Sequence, residues 1–381
     1  MNSTNIKGLT QRQLEGFALS IGEQRYRGKQ LFDWLYMKEA STFEEMTSLS
    51  KSFRQKLLST ASIDSLTLVQ QQASHSDGTT KFLFELSDGK RIESVLIPPK
   101  IAFDDADARG EEEQKRLTLC VSTQVGCALD CVFCATASMG ILRNLTTGEI
   151  VDQLLQVKKI SGKRITNLVY MGMGEPMMNY DNVMNSVEII STGLKIAARR
   201  ITISTAGWIP KIRQMADDGQ KLKLAVSLHT LDDAMRSELM PINKKFPLRD
   251  LLEAVKYYYA KTKQRVTFEY ILFDGWNDTD EDAKRLIKLS KTIPCKINII
   301  PFHDIGFTHP SGMGMKLRPT SHRRTEEFVE MLRKAHVTVF VRSSAGKDIA
   351  AACGQLAVKS EQRNDRRVTR KNIPLLQTEP A

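Results

Sequence analysis

The amino-acid sequence predicts an α/β fold, a partial (β/α)6 barrel that follows a small helical N-terminal accessory domain. From residue 116 onward, six short apolar strand patterns alternate with amphipathic helical patterns, which is typical of a parallel sheet with helical crossovers. Polar or glycine-bearing segments follow the predicted strands, as in barrels that gather their chemistry at one end. Residues 1–60 instead show helical periodicity.

The length and composition allow such an architecture. The 381 residues are 41% hydrophobic, which is enough for one large α/β domain and a small accessory one. We expect a helical accessory domain at 1–62, a β-rich connector with an acidic loop at 63–115, the barrel at 116–357 and a basic tail at 358–381.

The charge balance favours polyanionic partners. The chain has 55 Lys and Arg against 44 Asp and Glu, a net charge of +11, which favours RNA or DNA ahead of a membrane surface. No apolar run approaches the length of a transmembrane helix. We therefore expect no membrane association.

Two capping boxes predict helices in the N-terminal part. Thr10 with Gln13, and Thr42 with Glu45, have the spacing of a capping box before an amphipathic stretch. Residues 24–36 mix basic and aromatic side chains. This mixture suits an RNA-facing surface, but an ordinary amphipathic helix with its aromatic residues in a core explains it equally well.

The connector and the tail have simpler patterns. Residues 65–98 alternate like strands, with a turn at 87–89. The acidic stretch at 104–113 is predicted to be a solvated loop without a function. The tail from residue 358 is predicted to be solvated, with added phosphate contacts as the alternative.

The barrel region has the clearest alternation. A helix at 146–160 is predicted by Thr146 and Glu149, which again have the spacing of a capping box. The six predicted strands, and a seventh that precedes the last notable cysteine, are residues 117–122, 167–171, 200–205, 223–228, 266–272, 296–300 and 337–341.

Three cysteines within eight residues are the strongest chemical signal. Cys127, Cys131 and Cys134 form a C-x3-C-x2-C run that contains half of the six cysteines. Thiolates at this spacing can hold three corners of a cubic iron–sulfur cluster, which usually has four thiolate ligands. One iron would then be open for another ligand, whereas structural zinc would require four protein ligands.

This spacing resembles the signature of the radical S-adenosylmethionine (SAM) enzymes. The resemblance implies a radical SAM barrel with a [4Fe-4S] cluster, whose open iron binds SAM and whose reduction cleaves it to a 5′-deoxyadenosyl radical. A cluster of this kind also points to a reducing compartment, and we expect the cytoplasm.

Further polar residues follow later predicted strands. Gly174 allows close approach of the backbone to a ligand, and Glu175 can bind an ammonium group. Beside the three cysteines, the resemblance makes both residues candidate contacts to the amino group of SAM. The candidates for binding the carboxylate and ribose of SAM are Ser204 and the run Ser227, Leu228 and His229. Taken alone, each of these residues is as well explained by a hydrogen bond at the end of a strand. For His229, a buried position in the core is a further open interpretation.

Two more cysteines belong to a more specific resemblance. Taken alone, Cys120, Cys295 and Cys353 would be small buried hydrophobic residues, and Cys295 keeps that interpretation. However, the segments 120–134, 171–176, 240–245 and 352–356 together resemble the RNA adenine methyltransferases of the RlmN and Cfr type. The similarity extends over residues 8–357 and is nearer to the RlmN branch.

The resemblance implies a role for each residue. Cys353 would accept a methyl group from one SAM molecule, and a second SAM would supply the radical, so that two are used per turnover. The methylene radical would add to adenine and form a covalent protein–RNA intermediate. Glu93 would accept a proton, and Cys120 would resolve the intermediate by forming a disulfide with Cys353. His303, where the family usually has Asn, is expected to donate a hydrogen bond to the cofactor.

The expected function is methylation of carbon 2 of adenine in 23S rRNA and in some tRNAs, next to the anticodon. The partners would be both RNAs and a reducing donor such as flavodoxin or ferredoxin, and we expect a monomer. Within the family, methylation of carbon 8 is the rival expectation. Outside it, the sequence also allows a non-catalytic iron–sulfur RNA-binding protein or a maturase that acts on protein, and neither requires the pair of Cys120 and Cys353.

Overall fold

The computed structural model describes residues 3–99, 116–308, 310, 312–342 and 345–357. In chain order the strands are β1 (Thr4–Asn5), β2 (Ala61–Ser62), β3 (Thr67–Ala73), β4 (Thr80–Glu85), β5 (Arg91–Ile97), β6 (Thr118–Cys120), β7 (Gln124–Gly126), β8 (Ile141–Asn144), β9 (Asn167–Tyr170), β10 (Ile201–Thr205), β11 (Lys223–Ser227), β12 (Val266–Leu272), β13 (Cys295–Pro301) and β14 (Val339–Val341). The helices are α1 (Gln11–Ser20), α2 (Tyr26–Phe32), α3 (Lys51–Thr60), α4 (Thr147–Ser161), α5 (Tyr180–Thr192), α6 (Ile209–Asp217), α7 (Asp233–Leu239), α8 (Leu248–Thr262), α9 (Asp280–Thr292) and α10 (His322–Lys334).

One large mixed sheet organises the described part of the chain. Its order is β14-β13-β12-β11-β10-β9-β6-β5-β4-β3. Strands β6 and β9 to β14 are parallel, and β5, β4 and β3 continue the sheet in antiparallel pairs. The predicted alternation of strands and helices is confirmed. Because parallel strands place their carboxyl ends at one edge, the loops after them meet there.

The sequence patterns explain the core strands. Six of the seven residues of β12 are buried, as expected for a strand covered on both faces. The predicted helix after Thr146 is confirmed as α4, with both hydrogen bonds of its capping box. Residues 65–98 form β3, β4 and β5, and Gly89 (φ +77°) occupies the predicted turn.

The prediction of a helix after Thr42 is wrong. Glu45 N–H donates to Thr42 Oγ1 as in a capping box, but the Glu45 carboxylate accepts from the Thr42 hydroxyl and from Ser41 N–H instead of from Thr42 N–H. Residues 41–50 form turns and bends, and the next helix begins at Lys51 after the cap Ser50. Thr47 and Ser48 are residue types that disfavour a helix interior, and Ser48 Oγ instead accepts a hydrogen bond from Trp34 Nε1 at 2.9 Å. By contrast, the capping box at Thr10 opens α1 as predicted.

The N-terminal segment before α1 packs directly on α4 of the barrel. Buried Lys7 donates from Nζ to Asp152 Oδ1 on α4 at 2.8 Å and to Ser65 Oγ at 2.7 Å. Gly8 approaches Gly148 so closely that a Cβ on Gly8 would lie 2.3 Å from the Gly148 nitrogen. The two glycines therefore allow backbone contact between the N-terminal segment and α4.

The core interpretation of segment 24–36 is confirmed for part of it, and an RNA-facing surface there stays a prediction. Leu31, Phe32, Leu35 and Tyr36 are buried in the core, whereas Tyr26 is exposed. The acidic stretch 104–113 and the tail from 358 lie outside the described residues. None of the described helices is long and apolar enough to cross a membrane.

Candidate functional site

The three cysteines of the C-x3-C-x2-C run lie in one loop, which we call the cluster loop (residues 127–134). The loop follows Gly126 (φ +78°), where a Cβ would lie 1.8 Å from the Gly140 carbonyl oxygen. Cys127 N–H donates to that oxygen at 2.9 Å, and Cys134 N–H donates to Cys131 O at 3.1 Å. The β7–β8 hairpin thus fixes the start of the loop, and a tight turn brings its last two cysteines together.

The thiols of the cluster loop influence one another. Burial raises the pKa of Cys127 to about 12. Burial also raises the pKa of Cys131, and the neighbouring Cys134 and Cys127 add to this effect. Three thiolates would therefore coexist here only with a positively charged group between them.

The cysteine arrangement fits a cluster better than a single metal ion. In the described ranges, no group of three His, Cys, Asp or Glu side chains is placed to hold one metal ion. A cubane instead binds each thiolate at a separate iron, and three thiolates leave the fourth iron open. The three cysteines therefore fit the predicted [4Fe-4S] cluster.

A buried carboxyl lies after β9. Gly174 has φ +98°, and its missing side chain leaves space for Gln124, whose Cβ would be 2.5 Å from a Cβ there. Glu175 Oε2 accepts a hydrogen bond from Ala206 N–H at 2.8 Å, and Oε1 accepts one from Met177 N–H at 3.1 Å. Burial raises the pKa of Glu175, so a ligand ammonium would stabilise its carboxylate.

The next two strand ends carry the other predicted cofactor residues. Ser204 and Ser227 are partly buried, whereas Leu228 is fully buried and donates its N–H to Glu269 O at 3.0 Å. A ligand could therefore contact Leu228 only through its backbone groups. These residues occupy the strand ends that the sequence predicted, and their contacts to SAM stay a prediction.

His229 is held firmly in the core. Its Nδ1 accepts a hydrogen bond from Ile271 N–H at 3.1 Å, and its ring meets that of Phe133 edge-on at 4.7 Å. Burial lowers the pKa of His229 to about 3, so the ring is neutral at pH 7 and its proton is on Nε2. Because Phe133 belongs to the cluster loop, His229 borders the cluster site.

Sequence reasoning missed Arg236, which joins two of these strand ends. Arg236 is fully buried on α7. It donates to Ala206 O at 2.8 Å, Ser227 O at 2.9 Å and Leu228 O at 3.3 Å, and to Asn243 Oδ1 at 2.7 Å. A charged residue in a short helix is usually exposed, so only the tertiary contacts reveal this role.

A cavity beside the cluster loop brings together the remaining predicted residues. Cys120, Cys353, His303 and the cluster ligand Cys134 line it together. Cys353 is exposed, whereas Cys120 is buried at the end of β6. Burial, and then the neighbouring Cys353, raise the pKa of Cys120 to about 12. Cys295 is buried in β13, as predicted.

Glu93 lies on the strand next to Cys120. Val95 of β5 is directly opposite Cys120 in the antiparallel pair β5–β6, and Glu93 is two residues earlier on the same face. The buried Glu93 Oε1 lies 3.0 Å from Lys81 Nζ, which also donates to Ala350 O at 3.3 Å. Lys81, which sequence reasoning also missed, therefore connects Glu93 to the segment that carries Cys353.

Two basic side chains, one charged and one neutral, complete the cavity wall. Arg342 Nη1 lies 3.1 Å from Glu269 Oε2. Burial alone would lower the pKa of Arg342, but the charges of Cys353 and Glu269 outweigh burial and raise it. Burial, with Lys347 nearby, lowers the pKa of His303 to about 4. His303 is therefore neutral at pH 7 and can donate the hydrogen bond expected of it.

Family models match two regions of the chain. Residues 121–287 match the radical SAM superfamily. Residues 4–63 match the N-terminal domain of ribosomal RNA large subunit methyltransferases. The first region contains the cluster loop and β9 to β12, and the second contains α1 to α3.

Similar proteins extend over nearly the whole chain. The probable dual-specificity RNA methyltransferase RlmN of Christiangramia forsetii is 43% identical over 362 residues, 93% of this chain and 97% of that protein. RlmN of Geobacter sulfurreducens is 44% identical over 357 residues, 93% and 92% of the two chains. A crystal structure of a radical SAM methyltransferase from Sphaerobacter thermophilus covers 93% of this chain and 99% of its own, with 39% identity and a TM-score of 0.81. The chain therefore belongs to the RlmN family of dual-specificity RNA methyltransferases, within the radical SAM superfamily.

Proposed function

We propose that this protein methylates carbon 2 of an adenine in 23S rRNA and of the adenosine next to the anticodon in some tRNAs. The observation that supports this most is the shared cavity of Cys120, Cys353 and the cluster ligand Cys134. Direct displacement of a methyl group from SAM requires no pair of cysteines. A route in which one sulfur carries the carbon and a second sulfur releases it requires such a pair.

The chain has residues for both cofactors. Cys127, Cys131 and Cys134 would hold the [4Fe-4S] cluster, which supplies the electron for cleavage of SAM. Two SAM molecules would be used per turnover, because one methylates Cys353 and the other is cleaved. The proposed SAM contacts are Gly174, Glu175, Ser204, Ser227, Leu228, His229 and His303.

Three side chains would act on the methyl carbon and the base. Cys353 Sγ first takes the methyl group by displacement. The 5′-deoxyadenosyl radical would remove one hydrogen atom from this methyl group, and the resulting carbon radical would bond to carbon 2 of adenine. Glu93 would then accept the proton of carbon 2, and the oxidised cluster would accept the single electron that leaves the adduct. The Cys120 thiolate then attacks Cys353 Sγ, so that an S–S bond forms and the S–C bond breaks. The electron pair of that bond stays on the carbon, which takes a proton and becomes the methyl group.

The proposed partners follow from this chemistry. A carbon radical must approach the face of the adenine ring, and stacking covers this face in a helix. The base must therefore be extruded or come from a loop to reach the cavity. The net charge of +11 favours the approach of rRNA and tRNA. We further propose that the protein acts as a monomer, with flavodoxin or ferredoxin as electron donor, in the reducing cytoplasm.

Nucleoside mass spectrometry on an anaerobic reaction tests the product. The reaction would contain reconstituted protein, a reductant, SAM, and either unmodified 23S rRNA or unmodified tRNA. We expect 2-methyladenosine from both RNAs. Formation of 8-methyladenosine would overturn the position on the base, and the absence of product from one RNA would remove that RNA as a substrate.

Three cysteine variants test the assigned roles. Cys353→Ala should abolish the product, because the methyl carrier is lost. Cys120→Ala should accumulate a covalent protein–RNA adduct, seen as a shifted band on a denaturing gel. Cys295→Ala is the matched control, because this cysteine is buried in β13 and is absent from the lining of the cavity, and should retain methylation. Normal turnover of Cys120→Ala without an adduct would contradict the resolving role.

A further inference from the structure

Arg236 is a fully buried cation beside the cluster loop. All four of its hydrogen-bond acceptors are uncharged, namely three backbone carbonyls and the amide oxygen of Asn243. Burial lowers the pKa of Arg236 to about 10, and this value still leaves the guanidinium charged at pH 7. A buried charge surrounded by neutral groups is costly. A negatively charged group bound next to Arg236 would reduce this cost.

Two groups that are negative when ionised lie close enough to Arg236 to raise its pKa, one on the cluster loop and one on the same helix. Cys131 and Arg236 each shift the pKa of the other in the direction expected for a cation beside a thiolate. The other contributor is Asp233, at the exposed start of α7, whose Oδ1 is occupied by Asn243 and by Leu248 N–H.

The helix that carries Arg236 also packs directly on the cluster loop. Val132 N–H donates to Leu239 O at the end of α7, at 3.1 Å. Leu239 and Met240 share a hydrophobic cluster with Phe133 of the loop. Since both α7 and the hydrogen bonds of the guanidinium are fixed, the charge is held at a constant place relative to the three cysteines.

We propose that Arg236 is the positioning residue that sets the charge balance of the cluster site and makes one-electron reduction of the cluster easier. Three thiolates give a bound cluster a net negative charge, and reduction adds another electron to it. A buried cation stabilises the more negative state, because Coulomb attraction is strong at low dielectric, and thereby raises the reduction potential. This inference rests on the cluster ligands proposed above.

A redox titration of the reconstituted holoprotein, followed by electron paramagnetic resonance in the absence of RNA, tests the inference. Arg236→Gln removes the charge and keeps a hydrogen-bonding side chain, so its midpoint potential should be more negative than that of the wild type. Arg236→Lys keeps the charge and should stay near the wild-type value. Arg249→Gln is the matched control, because it removes the same charge from an exposed position, and should leave the potential unchanged.

The outcomes separate a charge effect from a purely structural one. A wild-type midpoint in Arg236→Gln with full iron and sulfide content would overturn the inference. If Arg236→Gln takes up no cluster, Arg236→Met removes the charge with a side chain of another shape and is titrated instead: a more negative midpoint supports the inference, and a wild-type midpoint overturns it. A lowered midpoint in Arg236→Lys would assign the effect to the hydrogen bonds and also overturn the inference. Because the potential is read without RNA, failure to methylate RNA would refute the proposed function and leave this result standing.

Discussion

At the scale of single residues, the buried carboxyl of Glu175 has the most direct expected effect on cofactor binding. Its two oxygens are held by Ala206 and Met177 N–H groups, so it is oriented before any ligand arrives. Glu175→Gln removes the charge, and a lost charge-assisted hydrogen bond of about 1.5–3 kcal/mol corresponds to roughly 10- to 150-fold weaker binding. Equilibrium dialysis of SAM on reconstituted protein would measure this loss.

The exposed Glu253→Gln provides the control for that experiment, because the Glu253 carboxylate pairs with Lys256 on the surface of α8. SAM affinity equal to the wild type in Glu175→Gln would remove the carboxylate from the set of proposed contacts.

His229 should make the stability of the protein depend on pH. The folded protein keeps this imidazole neutral down to a pKa of about 3, whereas the unfolded chain binds a proton near the ordinary pKa of about 6.5. The unfolded state therefore takes up more protons below pH 6.5, and stability is lost as the pH falls from there toward 3. The free energy of unfolding should decrease by up to about 1.4 kcal/mol for each pH unit through this one group.

Urea unfolding of the cluster-free protein at pH 7, 6 and 5 would measure this slope. His229→Asn is the informative variant, because asparagine tolerates the positive φ of +58° at this position. We expect a smaller decrease between pH 7 and 5 in the variant than in the wild type. Equal slopes would assign the pH dependence to other groups.

Sequence reasoning located residues whose chemistry is visible in a local pattern. The spacing of Cys127, Cys131 and Cys134 indicates shared ligation in any fold that keeps the loop compact. Arg236 and Lys81 have no such pattern, because each contacts a backbone carbonyl of a segment beyond its own neighbourhood, Ala206 O for Arg236 and Ala350 O for Lys81. Their roles depend on burial, which one sequence does not reveal for a charged residue.

At the scale of elements, α4 offers a test of helix capping. Thr146 Oγ1 accepts from Glu149 N–H at 3.2 Å, and Glu149 Oε2 accepts from Thr146 N–H at 2.8 Å. Thr146→Ala removes one half of this box and should lower the free energy of unfolding by about 1 kcal/mol. Urea unfolding of the variant and the wild type would measure the difference.

Thr42→Ala is the matched control for that experiment. Thr42 makes the same kind of hydrogen bond with Glu45, but no helix follows it, so its removal should cost only a few tenths of a kcal/mol. An equal loss in both variants would mean that the local hydrogen bond, and not helix capping, determines the effect.

The comparison of Thr42 with Thr146 shows the limit of element prediction. Both positions have the same four-residue signature, but only Thr146 precedes a long apolar repeat that packs on the sheet. Strand alternation in the barrel was predictable because the parallel strands, such as β12, are mostly buried and form apolar runs in the sequence. The antiparallel extension of the sheet by β5, β4 and β3 was not, because strand order depends on pairing between distant segments.

At the scale of the whole molecule, one buried ion pair joins the N-terminal segment to the barrel. Lys7→Met would leave Asp152 buried without its cation, and breaking such a pair costs about 3–5 kcal/mol. The free energy of unfolding should decrease by this amount, as measured in urea. Arg25→Met breaks the exposed pair with Glu15 and should cost less than about 1 kcal/mol; similar losses in both variants would show that Lys7 does not secure the docking.

Membership of a family of RNA methyltransferases also decides between the broader functional classes. It argues against the non-catalytic iron–sulfur protein and against the maturase that acts on protein. Carbon 8 as the methylated position stays open to the mass spectrometric test. The division of the chain at residues 62, 115 and 357 stays a prediction.

The anchoring of the Cys353 segment has a consequence for the order of events. Gly346 N–H donates to Asp77 Oδ2 at 2.7 Å, and Gly354 O accepts from Ala135 N–H at 2.6 Å. Cys353 is thus one residue away from a fixed point, and consecutive Cα atoms are only about 3.8 Å apart. While these anchors hold, the sulfur of Cys353 has a short reach. In the proposed mechanism the methyl donor and the adenine would therefore each have to enter the cavity and approach a nearly stationary sulfur, whose partner thiol Cys120 already lines the same cavity.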